Sequence, residues 1–380
     1  MLAEAPTEPI SRVDRLWVTD FRCFDALELA FGPGLTVLHG ANGQGKTSVL
    51  EALGWVARAR SFRGVPDSQL VRSGATAAVI RAEVSTGART RTFEAEIRAQ
   101  GRNRLLLNKQ PVTRARDLHG LLRVTVFAPD DLALVKDGPS ARRTYLDELL
   151  VMLAVRYEAA RADYERVLRQ RNALLRGRAR DDLVASTLAV FDEQLTRAGA
   201  ELVRGRLRLV ERLVPAVAAA YRDLAPSGGS VTARYEPDWC EPLSVDDADA
   251  VEDLMRDALA RRVRDEAERG VTLVGPHRDE WRLEIGGLDA RTQASQGEQR
   301  TLALALRLAG HAVVGDITGA APVLLLDDVF SELDRERADA LVRSLPVGQT
   351  IVTTAGALPG SISPERTMRV VAGHVETYDG

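Results

Sequence analysis

The chain has 380 residues, 45% of them hydrophobic and 28% charged, which is the balance of a soluble globular protein with material for two or three domains. Its longest uninterrupted apolar run, residues 149–155, falls well short of the roughly 18 residues that read as a membrane span. The net charge of −3 does not by itself announce nucleic acid.

The first residues carry acids and prolines rather than a basic start and an apolar core, so no signal peptide is visible. Cys23 and Cys240 offer neither a disulfide framework nor zinc-ligand spacing, and the expected compartment is the cytoplasm. Among the 51 basic residues only Lys46, Lys109 and Lys136 are lysines. A GC-rich genome accounts for that bias, and it sharpens any motif that demands a lysine.

In chain order, alternating apolar residues predict strands near 15–19, 27–31 and 35–39, then a helix over 45–57. Further strands are expected at 79–85, 91–98, 105–107 and 123–127. From Gly138 to about Arg222 glycines are few and apolar residues recur at helical spacing, as at Leu146, Leu149, Leu150 and Leu153, which predicts a helical lobe. Gly199, Gly205 and Pro215 interrupt its second half. The stretch 238–257 sets eight carboxylates against Arg256 and reads as a solvated helix face. Beyond Val271 the α/β character returns, with strands at 280–285, 323–326 and 349–353 and helices at 298–313 and 335–344. The expected division is 1–137, an inserted helical lobe at 138–270, and 271–380.

Gly40-Ala-Asn42-Gly43-Gln-Gly45-Lys46-Thr47 matches G-x-x-x-x-G-K-[ST] in full, after one apolar strand and before a helix. In a chain so poor in lysine, the bare pattern arises by chance on the order of two times in a thousand. Successive backbone N–H groups and the helix N-terminus suit phosphate oxygens. Lys46 is expected to reach the β- and γ-phosphates of a nucleotide, and Thr47 to offer its hydroxyl to Mg²⁺.

A second site follows the fully apolar strand 323–326, which ends in Asp327 and Asp328. Ligands collect at the carboxyl ends of such strands, so Asp327 is the expected Mg²⁺ ligand. Asp328, turned the other way by strand alternation, is placed to orient or deprotonate an attacking water. Upstream, Ser295 and Glu298 form a capping-box pattern at the start of a helix, and Asp334 stands where a normal N-cap would.

Taken in order, these blocks resemble the ABC-type ATPase heads, in the branch shared with the SMC chromosome proteins, and within it the bacterial recombination mediators. Leu16-x-x-x-Asp20-Phe21-Arg22-x-Phe24 is similar to the N-terminal strand and turn of that group, and 59–63 to its segment after the first helix. Phe127-x-Pro129-Asp130-Asp131-Leu132, the block from Pro139 through Arg142 and Arg143 to Asp147, and Gly275-Pro276-His277-Arg278-Asp279 add to the likeness. Ser295-Gln-Gly297-Glu298-Gln299 resembles the ABC signature, and 324–334 Walker B with its D-loop. The resemblance runs from about residue 14 to 355 and is thin between Arg156 and Val271.

It implies an α/β fold: an ABC/SMC-like ATPase head with a P-loop core, mixed β-sheets and an inserted helical lobe. It implies ATP and Mg²⁺ as cofactors, with Gly40, Asn42, Gly43, Gly45, Lys46, Thr47 and Ser48 around the nucleotide and Arg22 touching it. Lys46, Asp327, Asp328 and Ser295 would carry the chemistry. Two heads would bind head-to-tail, each presenting Ser295 and Gly297 to the partner's γ-phosphate, with Asp334 on the seam. Such a protein binds duplex DNA at gaps or single-strand/duplex junctions and, with RecR, directs recombinase loading; it works as a slow ATPase switch, without a membrane.

The chain departs from the pattern in three places. Asp328 stands where many heads have a glutamate, Thr353 and Thr354 stand where a switch histidine would, and Phe127 to Asp130 hold no Q-loop glutamine. For DNA, the stretch 81–116 sets nine basic residues against three acidic ones, with Arg98, Arg102 and Arg104 around a hairpin tip, and 161–180 holds seven arginines. Solvated arginine faces are the plainer reading of both. His39, His119, His277, His311 and His374 lack metal spacing, and His277 reads as structural. Two rivals share the nucleotide motifs. The ATPase subunit of an ABC transporter fits the helical segment poorly, and an SMC-type structural protein needs long heptad arms that this chain is too short to hold.

Overall fold

The computed structural model describes residues 11–113, 118, 120, 122–177, 182–356 and 358–379. Arg114, Arg116, His119, Arg178 and Arg180, which belong to the basic stretches and the histidine set above, lie outside them. The strands are β1 (Ser11–Phe21), β2 (Phe24–Ala30), β3 (Leu35–His39), β4 (Ala77–Thr86), β5 (Arg89–Arg98), β6 (Arg104–Leu107), β7 (Gln110–Val112), β8 (Val124–Phe127), β9 (Val231–Glu236), β10 (Glu280–Ile285), β11 (Leu288–Asp289), β12 (Val323–Asp327), β13 (Thr350–Thr354), β14 (Arg366–Val371) and β15 (His374–Asp379). The helices are α1 (Lys46–Arg58), α2 (Ala133–Lys136), α3 (Pro139–Leu153), α4 (Arg156–Arg176), α5 (Asp182–Leu224), α6 (Val251–Arg269), α7 (Gln296–Thr318) and α8 (Arg335–Arg343). They divide between two compact units, one of residues 1–131, 220–227 and 304–380, the other of 132–219 and 228–303. Ser295 and Gly297 therefore belong to the second unit, whereas the sequence-based division at 270 counts them with the C-terminal part of the head.

The first unit holds two six-stranded sheets. One, in the order β2-β1-β4-β5-β6-β7, is antiparallel throughout. The other runs β15-β14-β3-β13-β12-β8, and its five strands from β14 to β8 are parallel. β12 is buried along its whole length, the reason its sequence is an unbroken apolar run. The buried Gln349 ties the sheets together, accepting from Val13 N at 2.8 Å and donating to Val13 O at 2.7 Å and Gly32 O at 2.8 Å. Asp67 makes a second tie, accepting from Trp55 Nε1 of α1 at 3.2 Å and from Asn103 Nδ2 of the β5–β6 turn at 2.6 Å.

The second unit packs α3, α4, α6 and most of α5 with the small antiparallel sheet β11-β10-β9. α5 runs unbroken for 43 residues, through the glycines and the proline that the sequence reading took as interruptions. Gly199 and Gly205 are points of close packing instead. A Cβ at Gly199 would lie 2.6 Å from Met255 Cε, and one at Gly205 2.6 Å from Tyr157 Cε1. The acidic stretch is only half helix: Ser244 closes a capping box on Asp247, and α6 begins at Val251. The hairpin β14–β15 and strand β9 have no counterpart among the sequence expectations.

Arg171, buried on α4, joins this unit internally. It donates to Asp192 Oδ1 of α5 at 2.6 Å, to Glu266 Oε2 of α6 at 2.7 Å and to Thr272 Oγ1 at 3.0 Å. Glu266 is itself fully buried. Removing one partner of such a pair strands the other charge in a low dielectric. Arg171→Met is therefore expected to cost about 3–5 kcal/mol of stability, read as a lowered denaturation midpoint, whereas the exposed Arg197→Met on α5 is expected to cost less than about 1 kcal/mol.

Candidate functional site

The site is built on the parallel sheet of the first unit. β3 delivers the chain into a loop that needs its glycines. A Cβ at Gly40 would stand 2.3 Å from the Val370 carbonyl oxygen, and one at Gly45, where φ is +107°, 2.6 Å from Cys23 Sγ. α1 then starts at Lys46 with no side-chain cap and no acid in its first turn. Its leading N–H groups are thus left to an anion.

Lys46 is buried, and its ammonium donates to Gly40 O at 2.7 Å and Ala41 O at 2.8 Å. Burial lowers its pKa, opposed by the charges of Asp328 and Asp327. Thr47 Oγ1 donates to Asp327 Oδ1 at 2.9 Å, and Thr353 Oγ1 donates to the same oxygen at 2.7 Å. Burial raises the Asp327 pKa, the two hydroxyls pull it back, Asp328 pushes it up further and Arg63 lowers it. A buried carboxylate beside a threonine hydroxyl is an oxygen-donor set that suits Mg²⁺, which takes one or two carboxylates and keeps waters or phosphate oxygens for the rest. Among the described residues no cluster of three or more His, Cys, Asp or Glu could hold a metal by itself.

These groups line a cavity of about 590 Å³. Of the residues singled out from sequence, Arg22, Asn42, Gly43, Gly45, Lys46, Thr47, Ser48, Asp327 and Asp328 border it. Gly40 supports the loop through its carbonyl. Sequence reasoning assigned no role there to Cys23, Arg63, Gln69, Val71 or Ser73, which also line it. The last three are brought in by a bridge between Phe21 and Val71, with Arg22 N bonded to Leu70 O at 2.8 Å and Arg72 N to Asp20 O at 2.7 Å. No local pattern announces a pairing across fifty residues. Arg63 does have a local signal, the 59–63 block after α1.

One expectation needs correction, and the departures from the family pattern find their places. Asp328 does not continue the strand alternation. It sits past the end of β12 in the left-handed region, φ 49° and ψ 31°, so it borders the same cavity as Asp327, with Ala355 N donating to its Oδ1 at 3.3 Å. Asp is among the residues that tolerate this conformation. Thr353 donates to Asp327 and accepts from Asp328 N at 2.9 Å. Thr354 exchanges bonds with Gly356. In the Q-loop position, Asp131 closes the turn on Ala128 N at 2.8 Å and pairs with Arg307 at 2.5 Å.

Arg22 is held rather than free. Its Nε and Nη2 meet the two oxygens of Glu51 at 2.8 Å each, and its Nη1 meets Gln69 O at 3.0 Å. In the second unit, Ser295 is exposed at the start of α7, where its N and Oγ both donate to Glu298 Oε2 at 2.8 Å. Glu298 N returns a bond to Ser295 Oγ at 3.3 Å. Gly297 lies in the first turn. Asp334 caps α8, accepting from Arg337 N at 2.9 Å.

The basic stretches divide. On α4, Arg161 pairs with Glu158 and Glu165, Arg166 with Asp163, and Arg169 with Glu165, and Arg171 is buried, while Arg176 is exposed. At the β5–β6 turn, Arg98 pairs with Glu96 at 2.8 Å, while Arg102 and Arg104 are exposed. His277 is structural: its Nδ1 and Tyr164 OH are 2.6 Å apart, and its Nε2 lies 3.2 Å from Thr272 O. Burial lowers its pKa to about 4.

The family model described as the RecF/RecN/SMC N terminal domain matches residues 12–357. The DNA replication and repair protein RecF of Streptomyces avermitilis is 42% identical over 366 residues, covering 93% of this chain and 96% of that protein. The protein of the same name from Frankia alni is 45% identical over 377 residues, covering 95% and 98%. Among solved structures, the recombination mediator protein RecF with ATP, described as part of the RecFOR pathway, has a TM-score of 0.88 at 26% identity and covers 98% of this chain and 99% of its own. An Smc head domain from Pyrococcus furiosus, bound to the C-terminal domain of ScpA, has a TM-score of 0.59 at 16% identity, a likeness of fold alone.

Thr353→Val keeps the buried volume and removes one donor from Asp327. The Asp327 pKa then rises further, so its carboxylate is protonated at a higher pH than in the parent. Mg²⁺-dependent nucleotide binding is expected to weaken on acidification sooner in Thr353→Val, measured as Kd against Mg²⁺ concentration across a pH series; superimposable curves would contradict the geometry.

Proposed function

The chain belongs to the RecF family of SMC-type ATPase heads, and from that membership we propose that it is an ATP-dependent DNA-binding protein of replication and recombinational repair, acting in the cytoplasm. One observation carries the reading at the level of residues: Lys46, Thr47 and Asp327 converge on one cavity, with the uncapped start of α1 beside them.

Lys46 exchanges its two loop carbonyls for the β- and γ-phosphate oxygens of ATP, and the leading N–H groups of α1 take the others. Thr47 and Asp327 would hold Mg²⁺, which would supply positive charge against the charge developing on the phosphates. Asp328 accepts a proton from, or orients, the attacking water. Its side chain is one methylene shorter than glutamate, which suits slow turnover. Ser295 and Gly297 of one copy close over the nucleotide of a second copy, and Asp334 lies on the seam. ATP so acts as the bond between two heads, and hydrolysis dissolves it. Arg98, Arg102 and Arg104 contact duplex phosphates beside a gap, binding that is sequence-blind and weakens with salt. RecR is the proposed protein partner in recombinase loading. The transporter reading is set aside, because the relatives at 42–45% identity are DNA replication and repair proteins over nearly their full length.

The decisive experiment is light scattering with and without ATP and gapped duplex, with dimer expected only when ATP is present. Lys46→Met is expected to lose about 10- to 100-fold in ATP affinity, the worth of a charged hydrogen-bonding group; unchanged affinity by calorimetry would remove the nucleotide assignment. Asp328→Asn keeps a residue suited to the left-handed backbone and removes the charge. It is expected to bind ATP, hydrolyse it far more slowly and accumulate as dimer, and a monomer at saturating ATP would sink the sandwich mechanism.

A further inference from the structure

We propose that Glu51 is a positioning residue whose single carboxylate holds two arginine-bearing segments, one with Arg22 and one with Arg63, against the nucleotide cavity. The inference rests on the nucleotide reading above and deepens it.

Glu51 lies five residues beyond Lys46 on α1, and it is fully buried. A buried glutamate is costly unless paired, and an apolar residue would fill a helix–sheet core better. Its partners explain it. Arg22 approaches with the two-pronged geometry of a guanidinium–carboxylate pair, both contacts at 2.8 Å. Ser61 Oγ donates to Glu51 Oε1 at 2.5 Å. The same Oγ accepts from the backbone N–H of Arg63 at 3.1 Å. One carboxylate therefore reaches the Arg22 side chain directly and the Arg63 backbone through one hydroxyl.

Both arginines line the cavity. The charge of Arg63 is felt by Asp327, which puts it toward the acidic end. Arg22 sits on strained backbone, φ 54°, and its three bonds to Glu51 and Gln69 use three of the five N–H groups of a guanidinium. Among the described residues the other two have no partner and can face a ligand. Without Glu51 the Arg22 side chain would be free to turn toward solvent, and the Ser61–Arg63 turn would lose its anchor on α1. Phe62, packed so closely that a Cβ at Gly54 would fall 2.9 Å from its Cδ1, fixes the middle of that turn.

The test is calorimetric ATP affinity at low temperature, with thermal unfolding in parallel, for the parent, Glu51→Gln, Glu51→Asp, Ser61→Ala, Arg22→Ala, the Glu51→Gln/Arg22→Ala double variant and Lys46→Met. Glu51→Gln is expected to lose about tenfold in ATP affinity, Ser61→Ala about threefold, and Glu51→Asp to recover part of the loss. The double variant is expected to bind less tightly than Arg22→Ala by only the roughly threefold of the Ser61 arm, well short of the product of the two single losses, because Glu51 and Arg22 otherwise act as one unit. Additive losses, or an affinity unchanged in folded Glu51→Gln, would overturn the proposal. If Glu51→Gln does not fold, Ser61→Ala decides, and parental affinity there overturns it. Lys46→Met separates the two readings: loss there with parental affinity in the Glu51 and Ser61 variants defeats only the positioning role, whereas unchanged affinity in Lys46→Met defeats the nucleotide site itself.

Discussion

Two threonine hydroxyls meet on one oxygen of Asp327, and much of the first unit is arranged so that they can. Asp327 closes β12, and Thr353 is its register partner on the neighbouring parallel strand β13. β13 in turn pairs with β3, the strand that feeds the phosphate loop and so places Thr47. Parallel strands joined by long crossovers cannot be ordered by local signals. Once they lie side by side, however, their carboxyl ends bring together groups that are 280 residues apart in the chain. The buried carboxylate is tolerable because hydroxyl donors and the Lys46 charge surround it.

How much of this could be read in advance followed from the range of the interaction concerned. The phosphate loop and the strand before Asp327 are local patterns, and β3, β10, β12 and α8 fell within a residue or so of expectation. The capping box at Ser295 was legible for the same reason. What stayed hidden was set by contacts between distant segments. The wall at Gln69–Ser73 depends on a bridge to Phe21, the inward turn of Asp328 on a left-handed backbone that strand alternation cannot foretell, and the duty of Thr353 on its neighbour across the sheet. α5 misled the reading because glycine serves two ends: it can break a helix, or let another side chain approach its axis.

The second unit carries its own polar framework, built from the Arg142–Asp147 and Gly275–Asp279 blocks. Asp279, fully buried, accepts from Trp239 Nε1 at 2.7 Å and from the Tyr235 hydroxyl. Arg143 donates to its carbonyl at 2.8 Å. Arg206 bonds Asp147 through both prongs and Pro276 O at 2.7 Å. Burial lifts the Asp279 pKa to about 6 against the opposing pull of Arg206 and its hydrogen-bond donors. The Gly275–Asp279 and Arg142–Asp147 blocks are thus two halves of one interior network.

Asp67 has a consequence for how the first unit comes apart. Its two oxygens clasp the Trp55 indole of α1 and the Asn103 amide at the arginine-bearing turn. Fraying of that turn removes one of the two donors on this carboxylate, so hairpin and helix are coupled through it. A ligand that grips the hairpin, a polyanion included, would then slow amide exchange around Trp55 in the helix that begins at Lys46.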